Sequence, residues 1–105
     1  MKVLITSQGN NKDSVIDPRF GRCSYFAIYD TKEGKLDFYE NENKDAAEGA
    51  GPASVGFAAN KEVSKIISGE FGYKIKGMLT ELGMQMVMIK EDKTIDEITK
   101  LLPRE

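Results

Sequence analysis

One stretch carries most of the chemistry this chain can offer. Asp17-Pro18-Arg19-Phe20-Gly21-Arg22-Cys23-Ser24-Tyr25-Phe26 holds the only cysteine, two of the three arginines and one of the three prolines. A thiolate is a soft ligand suited to iron–sulfur centres. Guanidinium groups at positions 19 and 22 would favour thiolate over thiol and offset the charge of an anionic ligand. Pro18 restricts its own φ and pushes Asp17 towards extended geometry. Gly21 can take backbone angles closed to Phe20 and Arg22. A stiff cationic loop with one sulfur ligand beside it is expected. The competing reading is structural: the arginines pair carboxylates, and Cys23 packs as a small apolar residue.

What the chain lacks narrows the chemistry further. It has no histidine, so imidazole acid–base catalysis is excluded, and one chain cannot build a closed zinc site of nitrogen and sulfur ligands. A lone cysteine excludes an internal disulfide framework. One thiolate also falls short of four-cysteine cluster ligation, so any cluster would be shared with a partner, a second chain or exogenous ligands. A net charge of -2 provides neither a basic field for nucleic acid nor a polybasic membrane patch. Met1 to Ser7 is too short an apolar run for a signal peptide or a membrane span, so a cytoplasmic protein is expected. The 105 residues, 40% of them hydrophobic, suit a single domain spanning 1–105.

Positioning falls to elements that can be read in order. Val3-Leu4-Ile5 is a continuous apolar run, a strand buried on both faces. Cys23 to Asp30 reads as a second strand, and Lys35 to Glu40 alternates as a third. Thr31-Lys32-Glu33-Gly34 joins them as a hairpin turn. Asn41 to Gly51 is polar, and Glu40, Glu42, Asp45 and Glu48 read as a solvated, mobile loop. Pro52 predicts a helix start, with the helix over 53–60 and Asn60 as a left-handed cap. Val63 to Ser68 is a fourth strand. Phe71, Ile75, Met78, Leu79 and Leu82 form one helical stripe ending at Gly83. Met84 to Ile89 alternates as a fifth strand, its methionines core filler. Thr94 to Glu97 has capping-box spacing, ahead of a stripe at Ile95, Ile98, Leu101 and Leu102 that Pro103 stops.

The order β-β-β-α-β-α-β-α implies a mixed five-stranded sheet of order 3-2-1-4-5 with right-handed crossovers. Such a sheet has a topological switch at strands one and four. Ligands of open α/β sheets bind at the carboxyl ends of such strands. Here those ends are Ser7-Gln8-Gly9-Asn10 and Ser68-Gly69-Glu70-Phe71-Gly72. The Asp17 to Cys23 loop and Gly49-Ala50-Gly51 are expected to reach the same crevice. Free N–H groups at helix starts, with Arg19 and Arg22, would favour an anion there. Glu70 reads as a helix N-terminal charge.

The Asp17 to Phe26 stretch, followed by Gly49-Ala50-Gly51 and Ile67-Ser68-Gly69-Glu70-Phe71-Gly72, resembles the nitrogenase iron–molybdenum cofactor biosynthesis family over nearly the whole chain. That family includes NifX-like proteins and the carboxyl-terminal part of NifB-like proteins. The resemblance implies a ribonuclease H-like, three-layer α/β fold. It also implies non-enzymatic binding or transfer of an iron–sulfur-type cluster or an iron–molybdenum cofactor precursor, with a cluster donor or acceptor protein as partner. Family members that hold cofactor often carry histidine before the Phe-Gly-Arg run, where this chain has Arg19. Cys23, just after the run, is then the implied metal ligand. Arg19, Phe20, Gly21, Arg22, Gly49, Gly51, Gly69 and Gly72 are the implied cofactor-binding residues. The alternative is a metal-free module of the same fold that binds a small anion or a partner. A nuclease needs clustered carboxylates, one of them on the first strand, and Lys2 to Thr6 has none.

Overall fold

The computed structural model describes residues 1–105. Three strands come first: β1 (Lys2–Ser7), β2 (Tyr25–Asp30) and β3 (Lys35–Glu40). Then helices and strands alternate: α1 (Ala50–Asn60), β4 (Lys65–Ser68), α2 (Tyr73–Glu81), β5 (Gln85–Met88) and α3 (Ile95–Thr99). They form one sheet of order β3-β2-β1-β4-β5. β2 is antiparallel to both β1 and β3, while β4 is parallel to β1 and to β5. The expected mixed sheet with β1 at its centre is what forms.

Strand alternation divides the core into two layers. Leu4, Phe26, Ile28 and Ile66 face α1 and α2, where they meet Val55, Ala58, Phe71, Ile75 and Leu79. Val3, Ile5, Ala27 and Ile67 face the other way, onto Ile95 and Ile98 of α3. Residues 84–89 split as the alternation requires. Met84 and Met86 pack on the α1/α2 side, and Val87 and Ile89 on the α3 side. Small residues let α1 sit close: Ala50, Ser54 and Ala58, at i, i+4 and i+8, are all buried. Phe57 of α1 stacks on Phe26, with centroids 4.9 Å apart, and meets Tyr39 edge-on at 5.6 Å.

Several boundaries differ from the sequence expectation. β2 begins at Tyr25, so Cys23 and Ser24 belong to the loop. α1 begins at Ala50, with Gly49 as N-cap, which makes Pro52 its third residue. Pro is tolerated there because the first-turn N–H groups have no intrahelical partner. α2 begins at Tyr73, and Leu82, expected on its stripe, is 53% exposed. α3 stops at Thr99, short of Pro103, and leaves Leu101 exposed. Its start is as expected. The Thr94 hydroxyl accepts from Glu97 N at 3.1 Å, and Glu97 Oε1 accepts from Thr94 N at 2.9 Å.

α1 and α2 end on the same hydrogen-bond pattern but not on the same residue type. After α2, Gly83 has φ 73, its N–H donates to Thr80 O and Met84 N–H donates to Leu79 O. After α1, Glu62 N–H donates to Ala59 O and Val63 N–H to Ala58 O. The left-handed residue is therefore Glu62 (φ 60), two positions beyond the expected Asn60. The apolar contact that closes such a motif, here Val63 with Ala58, sets its position. Glu62 pays the Cβ penalty that Gly83 avoids. Glu62→Gly is expected to stabilise the fold by about 0.5–1 kcal/mol, after allowing for glycine's greater unfolded entropy. That corresponds to a melting temperature higher by a few degrees. A lower melting temperature would contradict this assignment.

Candidate functional site

The carboxyl ends of β1 and β4 do meet at the topological switch, but the chain fills that crevice with its own residues. Val15 to Asp17 runs along the end of β1. Gln8 N–H donates to Val15 O and Asp17 N–H to Thr6 O, both at 2.9 Å. The Thr6 hydroxyl donates to Asp17 O at 2.7 Å and lies 3.0 Å from the Ser68 hydroxyl, which ties β1, the loop and β4 together. A short parallel bridge then pairs Arg19 with Glu70.

The glycines predicted to cradle an anion serve mainly as seats for this loop. A Cβ on Gly69 would lie 2.4 Å from Pro18 Cα, and one on Gly21 (φ 101) would lie 3.1 Å from Gly51 Cα. A Cβ on Gly51 would meet Ile75 Cδ1 at 2.7 Å, so that glycine permits the approach of α1 to α2. Gly49 (φ 82) and Gly72 are the exposed N-caps of α1 and α2. Both helices lack an acidic residue in the first turn. Phe20 is buried against Phe71, with centroids 5.8 Å apart. Glu70 lies outside α2 and pairs with Lys90 at 3.8 Å, so it is not the helix N-terminal charge expected.

The two arginines do not act as a pair. Arg19 is half exposed, and its Nε lies 3.3 Å from the Asp17 carboxylate, which holds the guanidinium more firmly in its charged form. Asp17 is itself buried, and its Oδ1 also accepts from Arg19 N at 2.9 Å, closing a two-residue turn. Arg22 meets no carboxylate. Its Nη1 donates to the carbonyls of Lys44 at 3.0 Å and Ala46 at 2.5 Å.

Cys23 is fully buried among Phe20, Phe26 and the residues of α1 and α2. Burial pushes its thiol up to about 12, and the Asp17 charge pushes the same way. Backbone N–H groups of Cys23, Gly21 and Ser7 favour the thiolate but are outweighed. The expectation that Arg19 and Arg22 would activate this thiol is therefore overturned. Arg19 is neutralised by Asp17, and Arg22 is turned towards the loop after β3. No three His, Cys, Asp or Glu side chains gather closely enough to hold a metal ion.

Asn41 is the residue that sequence reasoning missed. It is buried just past β3, and its Nδ2 donates to Gly21 O and Cys23 O, each at 2.9 Å. Its own N–H donates to Ser24 O at 2.9 Å. A buried carboxamide that bridges two loops has no periodic signature, and in sequence it is one polar residue in a polar run. Beside it opens a cleft of about 610 Å³, bordered by Gln8, Tyr25, Glu40, Lys44 and Asp45. This cleft lies beyond the ends of β1 and β3, next to the predicted crevice.

The chain as a whole has counterparts among known proteins. The family model described as dinitrogenase iron-molybdenum cofactor matches residues 1–104. The chain belongs to that family. An uncharacterized protein of Methanocaldococcus jannaschii, MJ0580, is 30% identical over 104 residues, covering 96% of this chain and 84% of that one. A solved structure described as a candidate NifB protein from Thermotoga is 32% identical, with a TM-score of 0.81 over 94% of this chain and 84% of that one. The apo form of the orange protein from Desulfovibrio gigas superposes with a TM-score of 0.88 at 23% identity, over 94% of this chain and 83% of that one. At that identity the likeness is one of fold. Within this iron–molybdenum cofactor family member, Pro18 seats on Gly69 and Phe20 on Phe71, while Gly21 meets Gly51 and Arg22 turns to the loop after β3.

Two outcomes test the site. Gly69→Ala should cost about 1–3 kcal/mol, because its Cβ meets Pro18 backbone that cannot retreat without unseating the loop. Urea unfolding would measure this, and a neutral result would mean that the loop yields freely. The second outcome is a pH dependence. The Cys23 thiol ionises near 12 in the folded chain and near 9 unfolded, so its contribution to stability is complete below pH 9 and is lost as pH rises towards 12. The wild-type chain should therefore lose stability relative to Cys23→Ala across that window, by roughly 1.4 kcal/mol per pH unit at most. Parallel curves for the two proteins would show that Cys23 ionises as freely folded as unfolded.

Proposed function

We propose that this protein is a non-enzymatic carrier for an iron–sulfur-type cluster or an iron–molybdenum cofactor precursor in metallocluster biosynthesis. The observation that carries this reading is the family match spanning residues 1–104. The candidate NifB protein among the solved relatives supports it. The sheet order supports assigning the fold to the ribonuclease H-like group. Nuclease chemistry is not part of the reading, because β1 carries no carboxylate and no carboxylates cluster for metal.

The residues fit a carrier only in part. Cys23 is the one thiolate the chain can supply, and a single protein ligand suits cargo that must be released. Yet its burial means that the closed conformation does not present it. In this proposal local opening exposes Cys23 to water, where it gives its proton to solvent and binds cargo as the thiolate, in place of one exogenous ligand of the cargo. The exposed Arg19 side chain and the uncapped starts of α1 and α2 at Gly49 and Gly72 offset cargo charge. The remaining ligands come from a donor or acceptor protein, or from exogenous thiols. The second reading is a metal-free module for a small anion or a partner, and the full burial of Cys23 favours it.

Anaerobic reconstitution with iron and sulfide, followed by visible absorption and electron paramagnetic resonance, separates the two. The carrier reading expects sulfur-to-iron charge-transfer bands in the wild type and their loss in Cys23→Ala with the fold retained. Equal iron in both proteins would remove the thiolate from the mechanism. No iron in either would leave the metal-free module.

A further inference from the structure

The loop from Asn41 to Gly49 is anchored in an unusual way. Beyond Asn41, each of its residues is exposed or half exposed, so no buried apolar side chain holds it. What holds it is a set of hydrogen bonds to Gly21, Arg22, Cys23 and Ser24. Asn41 Nδ2 reaches the carbonyls of Gly21 and Cys23, and Asn41 N–H reaches Ser24 O. In the other direction, Arg22 Nη1 reaches the carbonyls of Lys44 and Ala46. Lys44 Nζ lies 3.1 Å from the Ser24 hydroxyl. The two segments are stitched to one another through polar contacts: those of Arg22 and Lys44 are half buried and open to competition from water, and those of the Asn41 carboxamide are buried.

We infer that Arg22 and Asn41 form a latch that makes the 41–48 loop and the Gly21–Ser24 segment one mobile unit, whose opening exposes the Cys23 side chain while the sheet stays folded. Three features point the same way. The loop ends at Gly49, which has φ 82 and open space around it, so a hinge there meets no obstacle. Cys23 lies outside β2, and its carbonyl is fixed by Asn41. The 42–48 stretch, held by hydrogen bonds without apolar burial, belongs to the low-stability end of the fold and opens before the core does, and in the Gly21–Ser24 segment the Cys23 side chain is the one apolar anchor that opening must withdraw. The latch deepens the carrier reading, since it supplies the opening that Cys23 needs. It is a property of the metal-free chain and is tested there, so its failure and the failure of cluster binding are separate results.

The test is the labelling rate of Cys23 in metal-free protein by 5,5′-dithiobis(2-nitrobenzoic acid) at one fixed pH. In the wild type, the rate should stay nearly flat in urea below the unfolding transition, because opening one loop exposes little surface. Asn41→Ala and Arg22→Ala should each label roughly tenfold faster, since each removes two hydrogen bonds of the latch. Ile98→Ala, which weakens the opposite layer, should lower the melting temperature yet label at about the wild-type rate. Should Asn41→Ala not fold, Arg22→Ala and the wild-type urea profile decide the question alone. The latch is overturned if labelling climbs with the full unfolding slope in urea, or if all variants fall on one line against global stability. Either result would mean that Cys23 is reached only when the whole chain unfolds.

Discussion

The architecture of the site depends on how closely Pro18 can approach the backbone at Gly69. With no side chain at 69, the 15–19 segment lies directly on the end of β4, where a Cβ would stand 2.4 Å from Pro18 Cα. From that seat the rest follows. Asp17 O reaches the buried Thr6 hydroxyl, Phe20 turns in against Phe71, and Gly21 passes over Gly51 at the start of α1. Open α/β sheets leave a crevice at the switch between outward-running connections. Here that crevice is occupied by the loop expected to line it.

Filling the crevice decides the ionisation of Cys23. Burial raises the Cys23 thiol to about 12, and Asp17, which organises the loop through Arg19, adds its own charge against ionisation. The guanidinium groups that would favour a thiolate are committed elsewhere. The closed chain therefore keeps its only thiol protonated and covered. For a carrier this is a resting state, and reactivity would come from a change of conformation.

The second organising group is the Asn41 carboxamide. It is buried and fully satisfied, with Nδ2 on two carbonyls of the loop and Oδ1 accepting from Asn43 N at 3.1 Å. Such a group stabilises only while all its partners are in place. Its position just beyond β3 connects the hairpin, the Cys23 loop and the open cleft. Residues that look alike in sequence, Asn41 and Asn43, thus play different parts: one is buried between loops, and the other is exposed on the turn.

The order of strands and helices was legible in the sequence because it rests on local periodicity. Val3-Leu4-Ile5 is apolar on both faces, β3 alternates, and Thr94 and Glu97 cap their helix, each through neighbours a few residues apart. The Asp17 to Cys23 stretch and the glycine turns were legible as unusual, and their convergence followed from the strand order. What those residues do there was decided only in three dimensions. Whether Gly69 faces a ligand or Pro18, whether Arg22 meets a thiolate or the carbonyls of Lys44 and Ala46, and whether Cys23 sees solvent all depend on contacts between segments far apart in sequence. Burial sets the Cys23 ionisation, and burial is a property of the packed whole. Residue type states which chemistry is available; the packing around each residue determines whether it is expressed.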